Sequence, residues 1–314
     1  MNGTTARIAV LIPCYNEEAT IGKVVGDFRL ALPSAQVFVY DNNSADRTLE
    51  MASAAGAVVR GELRQGKGNV VRRMFADIEA DIYILADGDD TYDAEAAPLL
   101  VETLVRDGLD VVSGRRIAVA QAAYRTGHVF GNHLLTGLTA MMFQVKIADL
   151  LTGYRVMSRR FVKSFPFTAQ GFGIETELTV HAVRLLMPVV EIDTRYKERP
   201  EGSISKLNTW RDGLRILSTI ALLVREERPL IFFSAIFLLL ALVSLAVGAP
   251  VVYEYARTGL VPRLPSAILA TGLMGIALLS LASGMILDTV TRGRWESKRM
   301  AYLAIPGPQE LKLP

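Results

Sequence analysis

Two long uncharged segments in the last third of the chain constrain its architecture more than any other feature. Leu230–Tyr253 and Leu264–Leu287 each run for 24 positions without a charged residue. An α-helix of that length is about 36 Å long, which is enough to cross a hydrocarbon core of about 30 Å. The sequence therefore predicts a transmembrane hairpin over residues 229–291. The alternative is a buried helical hairpin of a soluble protein, which rarely needs so long an uncharged run.

Basic residues on both sides of the hairpin predict its orientation. Arg225 and Arg228 precede the first segment, and the loop between the segments holds two arginines and one glutamate. Four basic residues follow the second segment, namely Arg292, Arg294, Lys298 and Arg299. Short loops rich in Lys and Arg stay on the cytoplasmic side of a membrane. We therefore expect a two-span protein of the inner cell membrane, with its main domain and both termini in the cytoplasm.

The first two-thirds of the chain alternate strand-like and helix-like segments. Strands are predicted at Arg7–Ile12, Gln36–Tyr40, Ala57–Arg60, Ile82–Ala86 and Asp110–Ser113. Helices are predicted between them, at Glu18–Leu30, Asp46–Ala55, Gly68–Ile78 and Ala94–Arg106. This alternation is typical of βαβ units around a mostly parallel sheet. Later segments are predicted as helices at Gly127–Phe143 and Phe172–Leu186, and as a strand at Val189–Lys197.

Charge and cysteine content narrow the function classes. The formal net charge is only +2, whereas a nucleic-acid binder usually presents a strongly basic face. Cys14 is the single cysteine, so the chain can form neither an intrachain disulfide nor a cysteine metal cluster. The early apolar run Ile8–Pro13 is brief and broken by proline, which is not typical of a signal peptide.

A pair of aspartates follows the fourth predicted strand directly. The sequence Asp87-Gly88-Asp89 comes after Ile82–Ala86, at the carboxyl end of a strand, which is where ligands bind in open α/β sheets. Two carboxylates at this spacing can hold Mg²⁺ or Mn²⁺ together with phosphate oxygens of a ligand. The alternative is a solvated acidic turn, and the position at a strand end argues against it.

Two further polar clusters fall at the ends of the first and second strands. Pro13–Glu18 offers an aromatic ring, carboxylates and backbone amides that could hold a nucleotide, although helix capping by Asn16 would explain part of it. Asp41–Thr48 begins with a carboxylate that can accept a hydrogen bond from a nucleotide base, although turn chemistry favours the same residue types.

These clusters, taken in order, resemble the family 2 glycosyltransferases of the GT-A fold. Within that family the chain is similar to polyprenyl-phosphate glycosyltransferases such as dolichol-phosphate mannose synthase. The resemblance covers about residues 7–206 and the two-span tail fits the membrane-anchored members. The motifs that carry it are Val10–Glu18, Asp41–Thr48, Arg64–Gly68, Asp87–Asp89, Gly114–Arg116, Asp149–Arg155 and Arg199–Lys206.

The resemblance implies a division of the site into donor and acceptor residues. Asp87 and Asp89 would bind the metal on the donor diphosphate, and Asp149 would sit at the reacting centre with Asp89. The other donor-binding residues would be Pro13, Tyr15, Asn16, Glu17, Asp41, Asn43, Lys67 and Gly88. The acceptor phosphate would be bound by Arg115, Arg155, Arg199, Ser205 and Lys206.

Several assignments stay open at this level. Asp149 is a base, an orienting group or a partner of Arg155, or else only a structural residue. A glutamine often follows the acidic pair in the family, but Thr91 stands there, and the loop that ends at Lys206 carries one extra residue. Glu175 and Glu177 could reach the sugar or the acceptor, and acidity at a helix N-terminus would explain them equally well.

The expected domain order follows from these segments. Residues 1–206 would form the glycosyltransferase domain, and residues 207–228 an amphipathic helix that lies on the bilayer or packs on that domain. The transmembrane hairpin and a cytoplasmic tail, residues 292–314, would follow.

The expected activity is inverting transfer of one hexose from a UDP- or GDP-linked sugar to polyprenyl phosphate. The alternatives are a processive polysaccharide synthase and a catalytically silent membrane scaffold. The sequence lacks the Gln-x-x-Arg-Trp motif that is typical of such synthases. The lipid bilayer is an expected partner, a homo-oligomer is possible, and nucleic acid is not expected.

Overall fold

The computed structural model describes residues 5–118, 148–166, 173–197, 221–222 and 224–314. The chain divides into two compact units. The first comprises Met1–Ile216 and Lys298–Pro314, and the second comprises Leu217–Ser297.

The first unit is built from a seven-stranded sheet with helices packed against it. Its elements are β1 (Ile8–Cys14), α1 (Ile21–Ala31), β2 (Gln36–Asp41), α2 (Thr48–Ala54), β3 (Val58–Gly61), α3 (Lys67–Asp77), β4 (Ile82–Leu85), α4 (Ala97–Arg106), β5 (Val111–Ala118), β6 (Arg155–Ser158), α5 (Arg159–Ser164), α6 (Ile174–Arg184) and β7 (Val189–Tyr196). The strand order is β3-β2-β1-β4-β6-β5-β7.

The sheet is mostly parallel, as the sequence predicts. Only β6 runs antiparallel, between β4 and β5, and every other described pair is parallel. The five predicted strands that precede residue 119 are all present, with ends shifted by a few residues. The strand β6 and the helix α5 were not predicted, because β6 has four residues with a charged first position and is too short to show a period. The helix predicted at Gly127–Phe143 lies outside the described residues.

The central strand β1 explains why the sheet forms the core. All seven of its residues are buried. Ile8, Val10 and Ile12 pack in one apolar cluster with α1 and α4, whereas Ala9 and Leu11 pack in a second cluster with α3, α5 and α6. Strands covered on both faces read as continuous apolar runs. The seven residues of β1 therefore contribute apolar side chains and one buried cysteine to the core.

The C-terminal segment Lys298–Pro314, which is part of the predicted cytoplasmic tail, belongs to the same compact unit as the sheet. Asp110 is fully buried and accepts hydrogen bonds from the Ser158 hydroxyl at 2.7 Å, from Arg160 at 2.5 and 2.9 Å, and from the Tyr302 hydroxyl at 2.8 Å. The Ala6 backbone amide donates to the Lys312 carbonyl at 2.8 Å. A buried carboxylate requires such partners, and here one of them comes from the end of the chain.

Two helices are long and apolar enough to span a membrane, and the second unit contains all of the first helix and most of the second. They are α7 (Pro229–Thr258) and α8 (Leu264–Leu303), with mean hydropathies of 2.9 and 1.9 in their most apolar windows. Both helices extend beyond the predicted spans because their polar flanking residues continue the helix. The Ser244 hydroxyl on α7 donates to the Ala270 carbonyl on α8 at 2.7 Å. Of the predicted juxtamembrane helix, residues 207–220 lie outside the described part.

Substitution of Tyr302 tests the role of the C-terminal segment in the first unit. Tyr302→Phe removes one hydrogen bond to a buried carboxylate, and we expect a loss of about 1.5–3 kcal/mol in stability. Thermal unfolding of the detergent-solubilised full chain measures this as a lower Tm. Tyr255→Phe, at a tyrosine that is 55% exposed, is the matched control and leaves Tm unchanged. Equal melting of both variants would contradict the structural role of the segment.

Candidate active site

The loops after β1 and β2 interlock at the carboxyl edge of the sheet. The Asn16 backbone amide donates to the Ser44 hydroxyl at 2.8 Å, and the Ala45 amide donates to the Asn16 side chain at 2.8 Å. Asn16 and Asn43 have φ angles of 54° and 64°, a left-handed conformation that asparagine tolerates better than most residues. The Asn43 side chain donates to the Leu63 carbonyl at 2.9 Å. Asn16 and Asn43, both predicted to bind the nucleotide-sugar donor, therefore hold the loops in place through their side chains.

Asp41 presents a buried acceptor at the end of β2. The residue is 5% exposed, and one carboxylate oxygen, Oδ2, accepts from the Ser44 amide at 3.0 Å. The other oxygen, Oδ1, has no hydrogen-bond partner among the residues that the structure describes. Because a buried carboxylate oxygen without a partner is costly, this atom is suited to accept from a ligand N–H. The nucleotide base stays the predicted partner of this atom.

The remaining predicted nucleotide contacts lie along the same edge. Pro13 is buried within β1, and Tyr15, the first residue after that strand, is 38% exposed. The Glu17 backbone amide donates to the Thr48 hydroxyl at 2.8 Å, which joins the first loop to α2. Of these residues, Tyr15 offers the most accessible surface for a ligand.

The acidic pair follows β4 as the sequence predicts, and the two carboxylates differ in environment. Asp89 is 3% exposed, and its Oδ1 accepts from the Thr91 hydroxyl at 2.6 Å. Thr91 therefore orients Asp89. Between the two aspartates, the Gly88 carbonyl accepts from the Thr20 hydroxyl at 2.7 Å, and a Cβ on Gly88 would lie 2.7 Å from the Cys14 sulfur. Only glycine fits this close approach of the loop to β1.

Asp87 forms an ion cluster with Lys67 and Glu175. The Lys67 ammonium lies 2.5 Å from Asp87 Oδ1 and 2.6 Å from Glu175 Oε1. Burial raises the pKa of Asp87, as do the carboxylates of Asp89 and Glu175, against the lowering effect of Lys67. Burial alone would lower the pKa of Lys67, but the two carboxylates outweigh it and the net shift is upward. The cluster is a crowded set of acidic groups with one cation in it.

Asp149 pairs with Arg116. Two guanidinium nitrogens of Arg116 each lie 2.7 Å from a carboxylate oxygen of Asp149, whose side chain is 7% exposed. The Asp149 backbone amide donates to Glu191 at 2.9 Å, and the Arg116 guanidinium lies 5.5 Å from the centre of the Tyr196 ring. The sequence leaves Arg155 open as one partner of Asp149, and it places Arg116 in the Gly114–Arg116 motif without a role of its own. Adjacent strand residues point to opposite faces, so the motif alone cannot tell which arginine faces Asp149.

Arg155 does not lie where the predicted acceptor role requires it. It is 2% exposed, and its guanidinium donates to the Leu150 carbonyl, the Thr152 carbonyl and the Thr179 hydroxyl at 2.9, 3.2 and 2.8 Å. Burial lowers the pKa of Arg155. Because these donors serve the protein interior, Arg155 supports the loop before β6 and the helix α6, which argues against the predicted contact with the acceptor phosphate.

The other predicted acceptor residues are placed only in part. Arg115 is half-buried on β5 and pairs with Asp193 on the neighbouring strand β7 through two contacts of 2.5 and 2.8 Å. Arg199, Ser205 and Lys206 lie outside the described residues. The structure thus brings together Asp41, Lys67, Asp87 and Asp89 at one edge of the sheet, and it adds Glu175, which the sequence left unassigned.

The donor set around the acidic pair fits a hard divalent cation that also binds a ligand. Asp87 and Asp89 supply carboxylate oxygens, which Mg²⁺ and Mn²⁺ prefer. In the described parts of the chain, no group of three or more His, Cys, Asp or Glu side chains is arranged to hold a metal ion. A cation here would therefore need further oxygens from its ligand, such as the phosphates of a nucleotide.

The chain is similar to known glycosyltransferases. Residues 9–165 match the family model described as Glycosyl transferase family 2. Glycosyltransferase AglJ of Haloferax volcanii is 31% identical over 305 residues, which cover 96% of this chain and 99% of the relative. The dolichyl-phosphate hexose transferase of the same organism is 31% identical over 222 residues, or 70% of this chain and 95% of that protein.

A solved structure of the same architecture contains a bound nucleotide and a metal. Glucosyl-3-phosphoglycerate synthase from Mycobacterium tuberculosis, crystallised with Mn²⁺, uridine-diphosphate and glucosyl-3-phosphoglycerate, matches at a TM-score of 0.56 and 25% identity. The match covers 70% of this chain and 79% of the synthase. The family model, the full-length relative and the mostly parallel sheet together show that the chain belongs to glycosyl transferase family 2, with a GT-A-like catalytic domain.

Proposed function

We propose that this chain is a membrane-anchored inverting glycosyltransferase that moves one hexose from a UDP- or GDP-linked sugar to polyprenyl phosphate. The observation that carries the proposal is the position of the acidic pair, Asp87 and Asp89, at the same sheet edge as the buried acceptor Asp41. This arrangement can receive both ends of a nucleoside diphosphate, with the base at Asp41 and the phosphates at the pair. The similarity to a dolichyl-phosphate hexose transferase, which is 31% identical over 70% of this chain, supports the lipid acceptor.

On the donor side, Asp87 and Asp89 would hold Mg²⁺ or Mn²⁺. A metal in this place acts as a Lewis acid that offsets the charge of the departing nucleoside diphosphate, an effect worth several kcal/mol. The chain's own part is to orient the carboxylates. Thr91 fixes Asp89, and Gly153 packs so closely that a Cβ there would lie 2.8 Å from Asp87 Oδ2.

On the acceptor side, the phosphate needs cations more than it needs a base. A phosphate monoester has a second pKa of about 6, so its oxygens are already anionic near neutral pH. We assign Asp149 as the residue that orients Arg116, and Arg116 as a cation for the acceptor phosphate. The bidentate geometry of arginine suits this role. Arg115, Arg199, Ser205 and Lys206 remain proposed contacts of the same phosphate.

The proposed mechanism is a direct attack of the lipid phosphate on the sugar carbon. The bond from that carbon to the donor diphosphate breaks as the new bond forms, which inverts the configuration and gives a lipid-phosphosugar. Among the described residues, no side-chain arrangement suggests a covalent intermediate. In the sequence, the apolar parts of both candidate spans lie between the two segments of the first unit, and two crossings would leave those segments on the same side of the membrane. The basic flanks favour the cytoplasmic side.

Loss of the second aspartate tests the donor assignment. Asp89→Ala removes a carboxylate that is needed for the cation, and we expect transfer to fall at least a hundredfold, since each 1.4 kcal/mol is about tenfold. Membranes are assayed with a panel of UDP- and GDP-sugars, polyprenyl phosphate or 3-phosphoglycerate, and Mg²⁺ or Mn²⁺, and products are identified by mass.

Asp107→Ala is the matched control, because Asp107 is an exposed residue that pairs with its neighbour Arg106. Its activity stays at the wild-type level. Near-normal transfer by the Asp89 variant would remove the metal assignment, and a sugar product formed only on 3-phosphoglycerate would overturn the lipid acceptor.

A substitution at Gly153, which packs against Asp87, tests whether the position of the Asp87 carboxylate affects transfer. Gly153→Ala places a Cβ 2.8 Å from Asp87 Oδ2 and 3.2 Å from the Tyr92 hydroxyl, so the carboxylate must shift. Because a misplacement of about 1 Å can cost up to a hundredfold in rate, we expect kcat/KM for the donor to fall by roughly tenfold or more. Gly26→Ala, where nothing lies within 4 Å of the added Cβ, is the control. Equal kinetics for both variants would mean that Asp87 is not a positioned ligand.

A further inference from the structure

Lys67 joins two acidic residues that are far apart in the sequence. Its ammonium lies 2.5 Å from Asp87, at the end of β4, and 2.6 Å from Glu175, in the first turn of α6. The side chains of Lys67, Asp87 and Glu175 are 31%, 28% and 18% exposed. A partly covered ion pair of this kind is screened by solvent less than a surface pair. The lysine is therefore an effective counterion for Asp87.

The backbone on both sides of the cluster is fixed. Lys67 begins α3 after Gly66, whose φ angle of 124° few other residues adopt, and the Gly66 amide donates to the Asn42 side chain at 2.6 Å. On the other side, the Glu175 carbonyl accepts from the Thr179 hydroxyl at 2.9 Å, and Thr179 is held in turn by Arg155. Only the long lysine side chain has the freedom to move its charge between partners.

The ammonium contacts one of the two carboxylates that we propose as metal ligands. A lysine charge at that carboxylate repels an incoming divalent cation and competes for the same oxygen. If the cation arrives with a nucleoside diphosphate, the phosphates supply negative charge that offsets both the cation and the Lys67 ammonium. The lysine can then leave Asp87, stay attached to Glu175 and contact a phosphate oxygen.

We propose that Lys67, held by Glu175, is a built-in counterion that makes the divalent cation and the nucleoside diphosphate bind together and not separately. The inference rests on the proposed function for the assignment of Asp87 and Asp89. It makes Lys67 and Glu175 positioning residues that set the order of ligand binding. Since coupling between two ligands is reciprocal, Lys67 raises the effect of nucleotide on metal affinity and of metal on nucleotide affinity equally.

Binding measurements on the full-length protein in detergent test the inference without any assay of transfer. Mn²⁺ is titrated against the wild type alone and with saturating UDP or GDP, and free Mn²⁺ is followed by electron paramagnetic resonance. The variants are Lys67→Met, Lys67→Gln and Glu175→Gln, with melting curves to confirm that each is folded. Lys23→Met is the matched control, because it removes the same charge from a pair with Asp90 beside the acidic loop.

We expect both Lys67 variants to bind Mn²⁺ alone about tenfold more tightly than the wild type, since the competing charge is gone. The gain in Mn²⁺ affinity that nucleotide produces shrinks in the same variants. Glu175→Gln binds Mn²⁺ alone more weakly, because Lys67 then rests on Asp87 alone. Lys23→Met stays within about twofold of the wild type.

The outcomes separate the inference from the proposed function. If the wild type fails to bind Mn²⁺ both in the presence of UDP and in the presence of GDP, the proposed donor site itself is wrong. If the wild type binds Mn²⁺ with nucleotide but folded Lys67 variants show unchanged metal affinity and unchanged coupling, only the counterion role of Lys67 is overturned.

Discussion

Repulsion between carboxylates at the end of β4 is the physical constraint on which this site depends. Asp87 and Asp89 follow β4 and Glu175 lies in the first turn of α6, so two separate segments bring these carboxylates together. Burial raises the pKa of Asp87. Such a cluster is stable only if a cation offsets its charge. In the structure, Lys67 supplies that charge. We propose that, when the donor binds, a divalent ion would take the place of the Lys67 ammonium at Asp87. The same carboxylates therefore explain the resting arrangement and the proposed donor site.

The order of elements and the acidic pair could be predicted from the sequence because both are local signals. Continuous apolar runs mark the buried strands β1, β2 and β4, and Asp87-Gly88-Asp89 follows the last of them directly. The pairings around the site could not be predicted, since Lys67 and Glu175 are 108 residues apart and meet only through the packing of α3 and α6. Arg155 shows the limit of a motif: the motif gives a residue type, but burial decides that the side chain points inward.

Family membership and the individual contacts carry different parts of the account. The family match and the mostly parallel sheet show a GT-A-like glycosyltransferase, and a solved synthase of similar fold is crystallised with Mn²⁺ and uridine-diphosphate. The lipid acceptor is a proposal that rests on one relative, the dolichyl-phosphate hexose transferase, and on two helices able to cross a membrane. The bidentate pair of Arg116 with Asp149 adds a cation for an acceptor phosphate. The C-terminal segment completes the same unit through the buried contact of Tyr302 with Asp110.

The most direct test of the central claim is to locate the metal. Crystals of the full-length protein with MnCl₂ and UDP or GDP are measured at the manganese absorption edge. We expect one anomalous peak within bonding distance of carboxylate oxygens of both Asp87 and Asp89, in contact with the diphosphate. We also expect that the Lys67 ammonium no longer contacts Asp87. A manganese ion and a nucleotide bound elsewhere, with the acidic pair still closed by Lys67, would contradict it.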